Sequence, residues 1–157
     1  MSWSSAAAAG LVATAVLTSI LGGASALGWT RIDIPFILGS AVTSHRLRAK
    51  WVGSLMHFVM GVFLSFVYAA LFSVLPGAGI VLGAFLGLVH ALLVGTVLLN
   101  VVLPPIHPRM GTPLSAANSS PLLEPPGFML LNYGRSTPAV TIVAHVLYGA
   151  LLGWFLD

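Results

Sequence analysis

The chain has 157 residues, 58% of them hydrophobic and only 6% charged, with six basic and three acidic side chains. Soluble domains carry roughly 25% charged residues, so this is the composition of a membrane protein, and the length leaves no room for a separate soluble domain of ordinary size. The absence of cysteine excludes disulfide frameworks, thiolate metal sites, covalently attached haem and cysteine nucleophiles.

In chain order, the first apolar segment runs from about Ala6 to Leu27. Ala24-Ser25-Ala26 resembles a signal cleavage site, but the preceding MSWSS lacks the usual basic residue, which favours a retained helix. Further segments follow from about Trp51 to Leu75, Ile80 to Leu103 and Pro138 to Phe155, and none of the four contains Lys, Arg, Asp or Glu. Each approaches or exceeds the roughly 20 helical residues needed to cross a bilayer core. The fold class expected is therefore all-α, a single polytopic membrane domain over residues 1–157 with four transmembrane helices.

Arg31, Arg46, Arg48 and Lys50 lie between the first and second spans, and Arg109 and Arg135 between the third and fourth. This asymmetry accounts for the basic pI without nucleic acid as a partner. By the positive-inside rule it places loops 28–50 and 104–137 in the cytoplasm and both termini outside. Only Leu75-Pro76-Gly77-Ala78-Gly79 joins spans two and three, so these form a tight hairpin.

The segments also match in order. Ala9 to Gly22 aligns with Ala78 to Ala91; PFILGSAVTS (Pro35 to Ser44) aligns with GFMLLNYGRS (Gly127 to Ser136); and His57, Gly61 and Ser65 align with His145, Gly149 and Gly153. A tandem repeat of two-helix units, 6–75 and 79–155, is the expected origin, with parallel repeats about an axis near the membrane normal.

Small residues recur at four-residue spacing: Gly53, His57, Gly61 and Ser65 in span two; Gly79, Gly83, Gly87, Ala91 and Gly95 in span three; Thr141, His145, Gly149 and Gly153 in span four. Lipid offers no hydrophobic drive for helix association, so such stripes are expected to be close-packed faces. The histidines on them have two readings. One is a neutral imidazole hydrogen-bonded across an interface, with Tyr68, Tyr148, Thr96 and Thr141 as available partners. The other is a site: a bis-histidine haem or metal centre, or a path for protons or a small solute. At ~1.5 Å per residue, His57 and His145 are expected as a pair roughly 10 Å in from the cytoplasmic helix ends, and His90 roughly 20 Å in.

The second loop holds eight of the ten prolines between Pro104 and Pro138, and is expected to form an extended cap with Asn118-Ser119-Ser120 as its disordered part. Ser44 and Thr137 are the expected N-caps of spans two and four. The apolar runs Ile34 to Val42 and Phe128 to Leu131 are too short to span, and lie at the interface or dip between helices. His107 and Arg109, with Asn132, Tyr133 and Arg135, form a candidate cytoplasmic anion or headgroup site; loop hydrogen bonding is the plainer account. With three acids, no nucleophile elbow, no phosphate loop and no HExxH, no enzyme is expected.

The stretches DIPFILGSAVT, HFVMG, IHPRM, LEPPGFMLLNYGRSTP and HVLYGALLG together resemble a family of small bacterial four-helix integral membrane proteins known only as a domain of unknown function. The likeness runs from about Arg31 onward. Its motif residues here are Leu38, Gly39, His57, Gly61, His107, Pro108, Arg109, Pro125, Pro126, Gly127, Asn132, Tyr133, Gly134, His145 and Gly149. The resemblance implies a bacterial inner-membrane protein and brings no activity. Two functions stand: a structural or accessory component, with a membrane protein or a second copy as partner, or a haem-, metal- or small-solute-binding protein using His57, His145 and His90.

The charge asymmetry carries a testable topology. A tag after Asp157 is expected to be accessible only from outside the cytoplasmic membrane, and one inserted near Asn118 only from inside. A C-terminal tag reached from the cytoplasm would undo both the topology and the parallel repeat.

Overall fold

The computed structural model describes residues 2–111 and 123–157; Asn118-Ser119-Ser120, expected to be disordered, lie outside the described residues. The architecture is all-α, with four helices long and apolar enough to cross a membrane: Trp3–Ala26, Arg46–Val74, Ile80–Ile106 and Thr137–Leu156. The first is α1 (Trp3–Ala26). The Ser2 hydroxyl caps it by accepting from the Ser5 amide at 3.1 Å. It stops in a Schellman turn: Gly28 takes φ +75°, its amide donates to Ser25 O, and the Trp29 amide donates to Ala24 O. Glycine at that position carries no Cβ penalty. Because α1 packs along two other spans, the segment once readable as a signal is a wall of the bundle.

A short helix α2 (Ile34–Ser40) follows, capped by the Asp33 carboxylate accepting from the Phe36 amide at 3.0 Å. It lies on the first turns of α3 (Arg46–Val74). Gly39 and Gly53 make this possible, since a Cβ on either would collide with the facing backbone, Ala49 O or Pro35 O. The α3 cap is His45, whose Nδ1 accepts from the Arg48 amide at 3.4 Å, one residue beyond the expected Ser44.

After the turn at Gly77 and Gly79, the third span begins as α4 (Ile80–Leu93), continues as a π-helix over Val94–Val102, and ends as α5 (Leu103–Ile106). π-Geometry is commonly a single-turn bulge, and the sequence reading expected plain α-helix here. Two side chains of this segment bond back to carbonyls of their own helix. The Thr96 hydroxyl donates to Leu92 O at 2.6 Å, and Asn100 Nδ2 donates to Thr96 O at 3.4 Å. Both are i−4 carbonyls that an α-helix reserves for backbone amides. A 3-10 segment, Phe128–Tyr133, then leads into α6 (Thr137–Leu156). Thr137 is the first helical residue rather than the cap, and its hydroxyl pairs with Thr30 Oγ1 at 2.7 Å.

The spans alternate in direction, with α3 and α6 each packed on α1, and α4 packed on α6. The small-residue stripes lie at these seams. A Cβ on Gly83 or Gly149 would collide with the other's backbone, one on Gly87 with His145 O, and one on Gly153 with Gly79 O. On the other seam, Gly10 faces Ser65 and Gly61 faces Thr14. Both members of each expected repeat unit thus pack together, but the cross-unit pairs differ, since α1 packs along α6 whereas α3 makes little contact with the third span. The aligned loop stretches differ too, one being α2 and the other containing left-handed residues. Duplication therefore rests on the sequence alignment alone.

The outer surface is apolar on all sides, with Leu55, Val59, Phe63, Val81 and Phe85 exposed, as lipid requires. All four tryptophans are exposed. Trp3 and Trp154 lie at the end bearing the tight turn, Trp29 and Trp51 at the loop end, which is the placement of interfacial aromatic belts.

The glycine seams generate a prediction. Gly83→Leu and Gly149→Leu are each expected to lower thermal stability in mild detergent by a few kcal/mol through overpacking, while Val81→Leu on the exposed face leaves it unchanged. Wild-type melting of both glycine variants would remove these seams from the account of stability.

Candidate functional site

Because α3 and the third span barely touch, the bundle encloses a cavity of about 110 Å³ between them, backed by α1 and α6. Its polar lining is His57, His90, His145, Thr14, Thr141 and Tyr148. All three histidines singled out from the sequence therefore face one space. The size is of the order of the roughly 150 Å³ apolar cavities that take a benzene ring.

The imidazole pairing differs from the expected one. His90 and His145 are in edge-to-face contact, with ring centroids 4.7 Å apart, whereas His57 turns to α1 and places Nδ1 3.1 Å from Thr18 Oγ1. The cause lies on the α4–α6 seam. Gly87 brings its helix onto the His145 carbonyl, and His90, one turn further along, arrives beside the His145 ring. That contact also corrects the expectation that His90 lies deeper, because the π segment and α5 carry the third span past the start of α6 at the loop end.

Hydrogen bonds assign the tautomers. His145 Nδ1 lies 2.8 Å from Thr141 O; a carbonyl only accepts, so Nδ1 carries the proton and Nε2 is left with a lone pair. Tyr68 OH lies 3.4 Å from His90 Nδ1. Tyr148 OH donates to Gly61 O at 2.6 Å, tying α6 to α3 above the cavity. Tyr68, His90 and Tyr148 are mutually in aromatic contact and close the end nearer the tight turn. Of the hydroxyl partners named from sequence, Thr96 bonds its own helix, while Thr18 was missed because an i, i+4 back-bonding threonine carries no signal for a tertiary partner.

One group stands apart. Thr141 Oγ1 is buried with no hydrogen-bond partner, although the residue is 2% exposed and lines the cavity. A buried polar atom left unpaired costs about 1–3 kcal/mol, so the position holds an unmet demand. The cavity floor is strained as well. Met129 and Leu130 adopt φ +51° and +64°, a left-handed backbone that costs non-glycine residues about 1–3 kcal/mol each. The strain pushes Leu130 fully inside, against the cavity, and leaves the Met129 sulfur against Gly95.

As a ligand set for metal the histidines do not converge: among the described residues no three His, Cys, Asp or Glu side chains form a metal-binding group. A benzene-sized cavity also does not match a haem macrocycle, and His90 and His145 touch with nothing between them.

The candidate loop site has a different character. His107 is buried; its Nδ1 accepts from the Arg109 amide at 3.2 Å, so Nε2 bears the proton and donates to Ile37 O at 3.0 Å. The Arg109 guanidinium donates to Ser40 O. Both therefore cap the C-terminal carbonyls of α2, where cations and donors are favoured. Asn132 Nδ2 donates to Pro125 O at 2.9 Å, and Arg31 reaches Asn132 O and pairs with Glu124 at 3.2 Å. Tyr133 OH donates to Glu124 O at 2.6 Å. Burial pushes its pKa up to about 12, so it remains a donor and not a base. Arg135 is exposed. His107, Arg109 and Arg31 thus stitch the two loops into one cap.

No family model, curated protein or solved structure matches the chain.

His107→Ala is expected to lower thermal stability by about 1–3 kcal/mol, since Ile37 O and the Arg109 amide lose their partner, while the His145 ring resonances in 15N NMR stay in place. Displaced His145 signals would make the cap and the cavity one unit.

Proposed function

We propose that this chain is a non-enzymatic integral membrane protein of a bacterial inner membrane, whose central cavity binds a small apolar molecule carrying one hydrogen-bonding group. The loops lie in the cytoplasm and both termini outside, on the strength of the basic residues gathered at the loop end. The likeness to a family of unknown function agrees with this placement and adds no activity.

The observation that carries the binding reading is the unpartnered Thr141 hydroxyl one turn from the free Nε2 of His145, in a cavity whose lining is mostly Leu, Ile, Val and Met with His57, His90, Thr14 and Tyr148 as its other polar members. Pockets with an apolar lining and a few convergent polar groups are the usual form of a small-molecule site. A hydroxyl or carbonyl on the bound molecule would supply Thr141 with its partner, and the ring or chain behind it would fill the apolar remainder. Two lips of the gap between α3 and the π segment, Met60 and Leu98, are exposed, so the molecule reaches the cavity from the bilayer. A purely structural role is favoured by the close seams and the satisfied loop cap, and leaves Thr141 without explanation.

Thr141→Val separates the two. For a binding site, it is expected to stabilise the ligand-free protein by about 1 kcal/mol, while weakening binding of benzyl alcohol about tenfold. Binding is read from the His145 ring 15N resonance in nanodiscs, with toluene as the control lacking a hydroxyl. If benzyl alcohol moves that resonance no more than toluene does in the wild type, the polar half of the site falls away.

A further inference from the structure

We infer that His57 is a proton-transfer residue joining a water-filled inlet at the loop end to the central cavity. The inference deepens the binding reading, because it fixes the side from which a molecule in the cavity exchanges protons.

A second space, of about 340 Å³, lies between the last turns of α1 and the first turns of α3, under the start of α2. Its polar lining is Thr18, Ser25, Asp33, Lys50 and His57. Lys50 and Asp33 form an ion pair at 2.8 Å, and both side chains are part-exposed, at 45% and 31%. A charged pair at that level holds water around it, as polar groups at membrane depth do when they line a cavity. Lys50 and His57 stand seven residues apart on α3, so the inlet reaches about 10 Å inward.

Leu21, Ile32, Ile34 and His57 line both spaces, and His57 is the one polar member of this partition. Its orientation suits transfer. Nδ1 faces Thr18 Oγ1 at 3.1 Å, and Thr18 belongs to the inlet lining and not to the cavity lining. Thr18 Oγ1 spends its own proton on Thr14 O at 2.7 Å, so it presents a lone pair and Nδ1 carries the hydrogen. The other edge of the ring is the cavity edge. A proton taken up at Nε2 leaves the molecule in the cavity as its conjugate base and forms one N–H bond as the Nδ1–H bond breaks; the Nδ1 proton passes to Thr18 Oγ1, which turns its own proton out to inlet water. The ring regains neutrality and no electrons move; inward transfer is the reverse. The titratable groups that face His57 are Asp33 from α2, Lys50 from its own helix, and His90 and His145 across the cavity. At the opposite end Tyr148 lines the cavity and Tyr68 packs against it, so the polar inlet lies on the loop side.

The native chain has no cysteine, which makes single-cysteine accessibility direct. Ser25→Cys, Thr18→Cys and Thr141→Cys are each reconstituted in phosphatidylcholine vesicles and treated from the loop side with a charged, membrane-impermeant thiol reagent. Ser25→Cys and Thr18→Cys are expected to react and Thr141→Cys to resist. An unreactive Thr18→Cys means a dry inlet and overturns the inference; equal reaction at Thr141→Cys means water on both sides of His57, which overturns it as well. The relay itself is read by NMR from deuterium exchange of the hydroxyl of benzyl alcohol held in the cavity. His57→Gln is expected to slow it about a hundredfold, the low end of what a positioned proton-transfer group contributes. Unchanged exchange in His57→Gln, or in Thr18→Val should His57→Gln fail to fold, removes His57 from the path. The cysteine measurements use ligand-free protein, so failure of benzyl alcohol to bind leaves them standing, and a dry inlet leaves binding untouched.

Discussion

In lipid, apolar side chains gain nothing by leaving one helix surface for another, so a bundle of this composition holds together only where backbones come close enough for dense van der Waals contact. The α4–α6 seam meets that requirement through Gly79, Gly83, Gly87, Gly149 and Gly153, each of which lacks the Cβ that its position would not admit, apart from Gly79, where the neighbour is the Asp157 carboxylate at 3.3 Å. Other features follow from this approach. It sets the register that lays His90 against His145. On the neighbouring seam, Gly61 gives room to Thr14 and keeps its carbonyl open to Tyr148, so the aromatic lid is built on the same economy of side chains.

Close packing on three sides makes the fourth informative. The third span packs by its glycine stripe on α6 and not on α3. It changes to π geometry at Val94, one turn after His90, and turns Gly95 toward Met129. The 3-10 segment then braces the π segment from the loop end. The cavity is what remains, and most of its lining comes from the four long helices, with Ile32 and Leu130 added from the loop end.

The parts of this structure written in local periodicity were legible in the sequence. Runs of apolar residues marked four spans, i+4 spacing marked Gly83, Gly87, Gly149 and Gly153 as a contact face, and the positions of Arg31 to Lys50 and of Arg109 and Arg135 placed the loops at one end. What depended on partners distant in sequence was not. His107 reads as a free polar group until α2 offers it the Ile37 carbonyl, 70 residues away. His57 and His145 read as a symmetric pair until the seams give one to Thr18 and the other to His90. The π segment left a faint trace in Thr96 and Asn100, but their hydrogen bonds to carbonyls four residues back are equally available in an α-helix. The left-handed Met129 and Leu130 had no local signal at all, since neither is a residue type that favours positive φ.

A bundle with so few polar groups gains most by pairing each one, and the buried ones here are nearly all paired: Ser65 to Ala6 O, Thr14 to Gly10 O, Thr30 to Thr137, His145 to Thr141 O. Three departures from that economy meet at one place. The π segment walls the cavity, Leu130 of the left-handed pair lines it from the loop end, and Thr141 Oγ1 stands unpartnered at its side. Independent packing errors would be scattered over the fold, whereas strain gathered around a single space is the pattern of a site whose geometry is held against its local preference. The imidazoles on both sides of that space and the one donor without a partner are the features on which the proposed binding site rests.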